Sequence, residues 1–409
     1  MSKLITNTIR HTGGSADNIT LDNSQNVTIE GNATVDGQLK TDAIRHTGAS
    51  SDAITLASDG TATAKITNNL SNRNKIINGA MTINQRNHSG AQGHNAYGLD
   101  RWKYNRSANA EFNIEQSTES PDGFAKSLQV DCTTASASMG TTDYVRLRYH
   151  IEGQDLQDFA KGTSSAKKFA LSFYAKSSVT GDYAIAFYDG DNSRMCTTTY
   201  TVSDTNWNRY EIIIPADTTG AFTNDNNSSL TIWFWFVVGS NHQAGSAQNT
   251  WGAYAENALG KGHTANLGSN TSNNFYLTGV QLEASDYCTD FEHRSYADEL
   301  VKCHRYYWKW VAGASYNCLG VGWAPNTTRF DTVIAFPQIM RASPSFSTGG
   351  SFRASTPTTT VSITPSAERT GNHTAYLRSS SVSGLTSGEG GEYGANNDGG
   401  AYVAFDAEL

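Results

Sequence analysis

Residues 275–307, FYLTGVQLEASDYCTDFEHRSYADELVKCHRYY, change their hydrophobic period once, and that change limits the fold more than any other stretch. Tyr276, Thr278, Val280 and Leu282 alternate with Phe275, Leu277, Gly279 and Gln281, the two-residue period of a half-buried strand. From Ser295 the period becomes helical. Ser295 can cap, Asp298 and Glu299 fall in a first turn whose dipole favours carboxylates, and Tyr296, Leu300, Cys303 and Tyr307 recur at helical spacing. The spacing predicts a helix of about three turns within 295–307, with Lys302, His304 and Arg305 towards its end. Period-two chain lies on both sides, so the helix reads as a connector between a large β-domain over 71–294 and a smaller one over 308–409.

Upstream, strand patterns fall at 127–132, 144–151, 169–176, 183–188, 209–214, 230–238 and 275–282, and 74–86 (NKIINGAMTINQR) reads as an apolar strand with a turn signal at Asn78 and Gly79. Strands of this number with turns between them predict a jelly-roll β-sandwich. In 169–176, Phe169, Leu171 and Phe173 face a core while Ala170, Ser172, Tyr174 and Lys176 face water. In 232–238 both faces are apolar, Ile232, Phe234, Phe236 and Val238 alternating with Trp233, Trp235 and Val237, so that strand needs cover on both sides. Downstream, 379–400 is Gly-rich and reads as an exposed loop, and Val403, Phe405, Ala407 and Leu409 share one face of a last strand.

Residues 1–70 repeat: Ile9-Arg10-His11-Thr12-Gly13 returns 35 residues on at Ile44-Arg45-His46-Thr47-Gly48, and Ile19-Thr20-Leu21 returns at Ile54-Thr55-Leu56. Units this short bury no face alone and need stacked neighbours or sister chains. One Arg-His pair per repeat reads as a surface contact in preference to a metal site.

Charge and cysteine content exclude several functions. Only 17% of residues are charged, the net charge is −8, and no cationic run exceeds Lys167-Lys168, so neither nucleic acid nor an anionic membrane is an expected partner. The apolar run 232–238 is far below the roughly 18 residues of a membrane span, and the opening residues lack the apolar core of a signal peptide; neither membrane insertion nor classical secretion is expected. The five cysteines are odd in number and scattered, unlike a disulfide framework. Cys288, His293, Cys303 and His304 lack the paired spacing of a zinc site. Asp189-Gly190-Asp191-Asn192-Ser193 begins like a calcium loop but continues with Arg194 and Tyr200 where Gly and Glu are required, so it reads as a hairpin turn. Gly260-Lys261-Gly262 is no phosphate loop, and no nucleophile elbow is present.

The order GVQLEAS, FEHRSYADEL, KCHRYY in 275–307 resembles a junction in bacteriophage tail fibres, particularly of marine and cyanobacterial phages. FPQIMRASPSF (336–346) resembles a segment of phage fibre carboxyl-terminal domains. INGAMTINQR, DRW, KKFALSFYAKSS, NWNRYEIII and FYLTGVQLE, in that order over 74–283, resemble jelly-roll carbohydrate-binding modules and fibre sandwiches; the loop 241–274 departs from them. The resemblance implies an all-β, homotrimeric, receptor-binding fibre of the virion tail. Its amino-terminal repeats would dock to tail adaptor or nozzle proteins, and its sandwiches would bind host surface polysaccharide without catalysis. It also allows a structural calcium near Asn78 and Glu283, with no other cofactor. A virion-associated polysaccharide depolymerase and a purely structural fibre or decoration protein are the alternatives.

Sugar rings stack their C–H faces on indole and phenol planes while nearby polar side chains hold the hydroxyls. Trp233 and Trp235 on the non-core face of their strand, with Trp251 and Tyr254 on the long loop, make one candidate carbohydrate platform. Trp323, Arg329, Arg378 and Tyr393, with the acids Glu389, Glu392 and Asp398, make a second at the carboxyl-terminal tip. The competing reading buries those indoles under the loop or a sister chain and leaves the tip as solvated loop. Catalysis would need two carboxylates across a cleft, which no spacing here shows.

Overall fold

A computed structural model describes residues 71–409 apart from 89, 137 and 246–248, together with 8–9, 19–21, 27–29, 43–44, 53–56, 58, 60 and 62–64. The chain falls into two compact units, Met1–Asn68 and Asn69–Leu409.

In the first unit, Thr8–Ile9 (β1), Ile19–Leu21 (β2) and Val27–Ile29 (β3) form an antiparallel three-stranded sheet; Ala43–Ile44 (β4), Ile54–Leu56 (β5) and Ala62–Ala64 (β6) form another. Thr8 pairs with Thr20 as Ala43 pairs with Thr55, so the 35-residue sequence repeat is a repeat of strand register. Ile44 is 48% exposed and Leu56 39%, as thin units without a partner layer require. The pairs Arg10-His11 and Arg45-His46 lie outside the described residues.

The second unit holds two sandwiches. The first comprises Tyr97–Leu99 (β7), Trp102–Ser107 (β8), Glu111–Ser117 (β9), Ser127–Thr134 (β10), Tyr144–Glu152 (β11), Phe169–Ser177 (β12), Gly181–Asp189 (β13), Arg194–Val202 (β14), Asn208–Ile214 (β15), Ser228–Val238 (β16), Gly252–Ala253 (β17) and Asn274–Ala284 (β18). One sheet runs β15-β12-β18-β10-β9 and the other β17-β14-β13-β16-β11-β8-β7. β10 pairs with β18 and, nested inside, β11 with β16, while β12 adds beside β18 and β13 beside β16, which is the wrapped connectivity of a jelly roll. Phe112, Phe169, Phe173, Phe187, Ile232, Phe234 and Phe236 fill the space between the sheets.

Residues 74–86 differ from the strand expected of them. They bury Ile76, Met81 and Ile83 completely but form no regular ladder: among the described residues only Lys75 N–H to Leu282 O (2.9 Å) and Val280 N–H to Gly79 O (3.0 Å) join them to β18, and side chains take several of their other main-chain hydrogen bonds. Asn78, at a φ of 59°, is the centre. Its amide nitrogen donates to the carbonyls of Ile83 (2.8 Å) and Asp100 (3.0 Å), its side-chain oxygen accepts from Ile83 N–H (2.9 Å), and its carbonyl accepts from Trp102 Nε1 (3.1 Å). Its own N–H donates to Glu299.

Glu299 belongs to the helix Tyr296–His304 (α1), capped by Ser295, whose hydroxyl accepts from Asp298 N–H. The helix forms where the sequence placed it, but a different face is buried: Glu299 and Cys303 point inwards, whereas Tyr296 is exposed and Tyr307 already belongs to the next strand. The inward carboxylate has polar partners in Asn78 and Arg294, so helical periodicity of apolar residues alone misplaced the stripe.

Tyr307–Val311 (β19), Cys318–Asn326 (β20), Arg329–Ala335 (β21), Ser345–Gly349 (β22), Phe352–Ser355 (β23), Thr360–Ile363 (β24), Ser366–Thr370 (β25), Thr374–Ser380 (β26), Gly390–Ala395 (β27) and Tyr402–Asp406 (β28) build the second sandwich. A sheet β19-β28-β22 packs on a sheet β24-β23-β27-β20-β21-β26-β25 around Phe330, Phe352, Leu377, Tyr393 and Phe405. The stretch 379–400 is not all loop: β27 lies inside the larger sheet. Its glycines conceal it in sequence and are what the strand needs, since a Cβ on Gly391 would stand 2.2 Å from Ser355 O and one on Gly394 2.6 Å from Asn317 O.

The sandwiches are joined through buried cations. Arg101, 2% exposed, is ion-paired to Glu408, donates to His150 O (2.5 Å) and stacks 3.5 Å over the Tyr306 ring. Arg86 reaches Asp406 (2.9 Å) and lies 3.7 Å over Tyr307, and Arg305 is held by Glu152 through two bonds of 2.6 and 2.7 Å. All five cysteines are free thiols, and among the described residues no helix is long and apolar enough to cross a membrane. Removing one partner of a buried pair strands the other charge. Glu408→Gln is therefore expected to lower unfolding free energy by about 3–5 kcal/mol, read from the urea midpoint, and Arg101→Met with Glu408→Leu together to cost much less.

Candidate carbohydrate-binding faces

The six residues singled out in the sequence separate into buried and exposed groups. Trp235 is 0% and Trp233 4% exposed, beneath the loop 239–273, with Ala258 and Leu259 packed over them in a second hydrophobic cluster. The strand is indeed covered on both faces, and this cover removes both indoles from contact with a ligand. Trp251 closes one end of the core: its Nε1 donates to Pro215 O (2.8 Å) and its ring lies 5.4 Å from Phe169. Tyr254 stays 39% exposed, 5.0 Å from the Tyr188 ring.

At the carboxyl-terminal sandwich, Tyr393 is 0% exposed, its hydroxyl 2.9 Å from Ser379 Oγ, and so is core. Trp323, 40% exposed, stands on the outer face of the larger sheet, 6.0 Å from Tyr376. Tyr376 donates to Asp331 (2.5 Å) and accepts from Arg329 (2.7 Å), while Arg378 pairs with Glu368 at 2.8 Å. Trp323, Arg329 and Arg378 therefore share one face with exposed Val321 and Val333, but Glu389, Glu392 and Asp398 are spent elsewhere, on Thr358, Arg353 and Ser351.

The clearest aromatic face is one the sequence reading did not single out. On the outer side of the five-stranded sheet, register aligns Glu115, Gln129, Tyr276 and Lys176 across four strands, and Trp207 follows beside Lys176 just before β15. Trp207 and Tyr276 are half-buried with ring centres 6.1 Å apart. Glu119 accepts from both Lys176 Nζ (2.9 Å) and Trp207 Nε1 (3.2 Å), fixing indole and ammonium together, and the Lys176 hydrogen bond holds its carboxyl below the usual range. Asp131 and Asn274 sit one pair further along, and Tyr174 stands on the next row against Phe124. The other end of this sheet face is closed, because Cys288 and Thr289 lie over Leu171, Gln281 and Glu283. What remains open is a strip of two large rings with carboxylate, amide and ammonium groups within reach, the composition a sugar chain needs.

Among the described residues, no three His, Cys, Asp or Glu side chains converge as metal ligands. Near the position that the jelly-roll resemblance assigns to calcium, Glu283 accepts from Thr289 and Gln281. At 189–193, Asp189 accepts from Lys161 (2.6 Å) and from its own turn, as a hairpin does.

Parts of the chain are similar to solved structures. A family 11 carbohydrate-binding module of Clostridium thermocellum aligns over 51% of this chain and 99% of its own, at 16% identity and a TM-score of 0.25. TmCBM61, solved with β-1,4-galactotriose, aligns over 52% and 99%, at 8% identity and 0.27. The enzymatically active domain of bacteriophage CBA120 tailspike protein 4 aligns over 52% of this chain but 22% of its own, at 10% identity and 0.30. No family model and no curated protein matches the sequence. Scores this low leave function to the chain's own surfaces.

The loop over Trp233 and Trp235 also carries a titrating group. His263 is buried, accepts from Ala184 N–H at 3.2 Å, and has its pKa lowered to about 4 by burial. In the unfolded chain it titrates near 6.5, so on acidification the unfolded state takes up a proton first. Its contribution is intact above about pH 6.5 and is lost as pH falls towards about 4, by up to about 1.4 kcal/mol per pH unit. Urea midpoints measured between about pH 7 and pH 4.5 should fall steadily, and His263→Gln should flatten that slope.

Proposed function

We propose that this chain is a phage tail-fibre protein that binds host-surface glycan through the outer face of its jelly roll. The observation that carries the binding is the Trp207–Tyr276 strip, half-exposed rings locked in place by Glu119 and Lys176 and bordered by Gln129 and Asp131. The fibre assignment rests on the resemblance of 275–307 and 336–346 to fibre segments. It is supported by the register-repeated three-stranded units, whose exposed Ile44 and Leu56 are the surface sister chains would cover. In this reading three copies assemble, the repeats engage tail adaptor or nozzle proteins of the virion, and the chain binds without cleaving. Weak sites repeated over three chains then gain through effective concentration.

Glycan-array or calorimetric titration with host-envelope polysaccharide should show binding that Tyr276→Ala and Trp207→Ala each weaken by about tenfold or more while the thermal midpoint barely moves. Unchanged affinity in both variants overturns the strip. New reducing ends released during incubation would make the chain a depolymerase instead. Native mass spectrometry should give a trimer, and deletion of residues 1–68 should shift it towards monomer.

A further inference from the structure

The opposite sheet of the jelly roll carries cations that, among the described residues, pair with no side-chain carboxylate. On its outer face, register sets Arg148 directly between Lys103 on β8 and Trp233 on β16, and the next same-face row sets Arg146 between Asn105 and Trp235. Like charges directly opposite one another in a sheet are destabilising, and Lys103 and Arg148 are such a pair. Arg146 is two residues along the same face, about 7 Å away by strand geometry.

Among the described residues, neither arginine makes an ion pair. Arg146 spends its Nε on Asn105 Oδ1 (2.8 Å) and lies 4.3–4.6 Å over the rings of Tyr144, Trp233 and Trp235. Among the described residues the Arg148 side chain makes no hydrogen bond, its Nε is buried without a partner, and its ring neighbour Trp233 is 5.4 Å away. Lys103 donates to Leu409 O at 3.2 Å. Glu408 and Asp406, the carboxylates nearest Lys103, are taken by Arg101 and Arg86. Glu256, near Arg146, pairs with neither arginine among the described residues. Burial and the neighbouring Arg148 charge lower the pKa of Arg146 to about 10, and burial lowers that of Arg148. A fixed, half-buried guanidinium with unspent donors is suited to bidentate recognition of a carboxylate or sulfate.

Aromatic rings lead to the same place. Exposed Tyr254 lies 5.0 Å from Tyr188, and Tyr188 lies 5.9 Å from Trp233 under the arginines. A cavity of about 640 Å³, lined by Ser107, Tyr144, His242 and Glu256, opens at the far end of the face, where Arg146 covers Tyr144. We infer that this second face binds an anionic sugar residue, its carboxylate or sulfate held between Arg148 and Lys103 and its ring against Tyr254 and Tyr188. The inference rests on the glycan-binding reading only in taking the anion to be carried by a sugar.

Calorimetry at low salt with oligogalacturonate, with its carboxyl-reduced neutral form and with a sulfated dextran oligosaccharide tests it. At least one anionic probe should bind about tenfold or more tighter than the neutral one, and the preference should shrink as salt rises from about 50 to about 500 mM. Preference for the uronate identifies a carboxylate site, and preference for the dextran a sulfate site. Arg148→Gln and, separately, Lys103→Gln should abolish the preference while leaving the thermal midpoint unchanged or higher, because each removes repulsion; either variant suffices if the other misfolds. Tyr276→Ala should leave it intact, which separates this face from the Trp207–Tyr276 strip. Equal binding of anionic and neutral probes, or a preference that survives both cation variants, overturns the site.

Discussion

Glu299 accepts the main-chain N–H of Asn78 at a point where neither residue is open to water, and the arrangement of the second unit depends on that contact. A segment with only two main-chain bonds to a strand must find other acceptors and donors, and 74–86 finds them in Asn78 itself, in Asp100 and in the helix. Arg294 completes the arrangement by donating to Ile76 O (3.1 Å) while pairing with Glu299. One polar cluster thereby fixes the angle at which α1 leaves the jelly roll. It also fixes where Tyr306 and Tyr307 present their rings to Arg101 and Arg86. The carboxyl-terminal sandwich is held from there on through Glu408, Asp406 and Arg305.

The second constraint is β16. A strand apolar on both faces obliges the chain to cover the outside of its sheet, and the loop 239–273 does so over Trp233 and Trp235. Cover ends at the β11 side, where Tyr144, Arg146 and Arg148 occupy the same face in place of further apolar residues. The two outer faces of the jelly roll are therefore unlike. One offers rings beside a balanced Lys-Glu pair, and the other offers rings beside cations that, among the described residues, pair with no side-chain carboxylate.

Much of this was legible in period-two patterning. The strands β10 to β13, β15 and β18 lie where alternation put them, because each has a regular apolar face, and β16 lies where its two-sided apolar run put it; β14 escaped notice because its outward positions are mostly Thr. What patterning could not show was satisfaction by side chains. Residues 74–86 look like a strand since their apolar residues are core, yet Asn78 and Asp100 replace the ladder. The Gly-rich β27 looks like loop because close backbone approach removes the side chains that alternation would reveal. At the site, an aromatic on a strand announces a large ring but not which side remains open. Trp233, Trp235 and Tyr393 are covered, whereas Tyr276, in the opening stretch of the sequence argument, is not. A Lys176-Glu119-Trp207 triad spread over 88 residues leaves no local signal.

The unlike faces matter together because they belong to two sheets that share one core. A sugar chain stacking on Trp207 and Tyr276 gains contact that any pyranose with an open C–H face can supply, so that face favours adhesion over discrimination. The cation pair of the inferred second site would discriminate instead, since a neutral sugar placed there leaves the repulsion of Arg148 and Lys103 unrelieved. Placed on opposite sheets, the two cannot be engaged by one short oligosaccharide. They can be engaged by neighbouring strands of a dense surface polymer, where the second contact is made at the effective concentration set by the first. In the proposed reading, selectivity resides in the face with more unspent charge, and grip in the face where charge is already balanced.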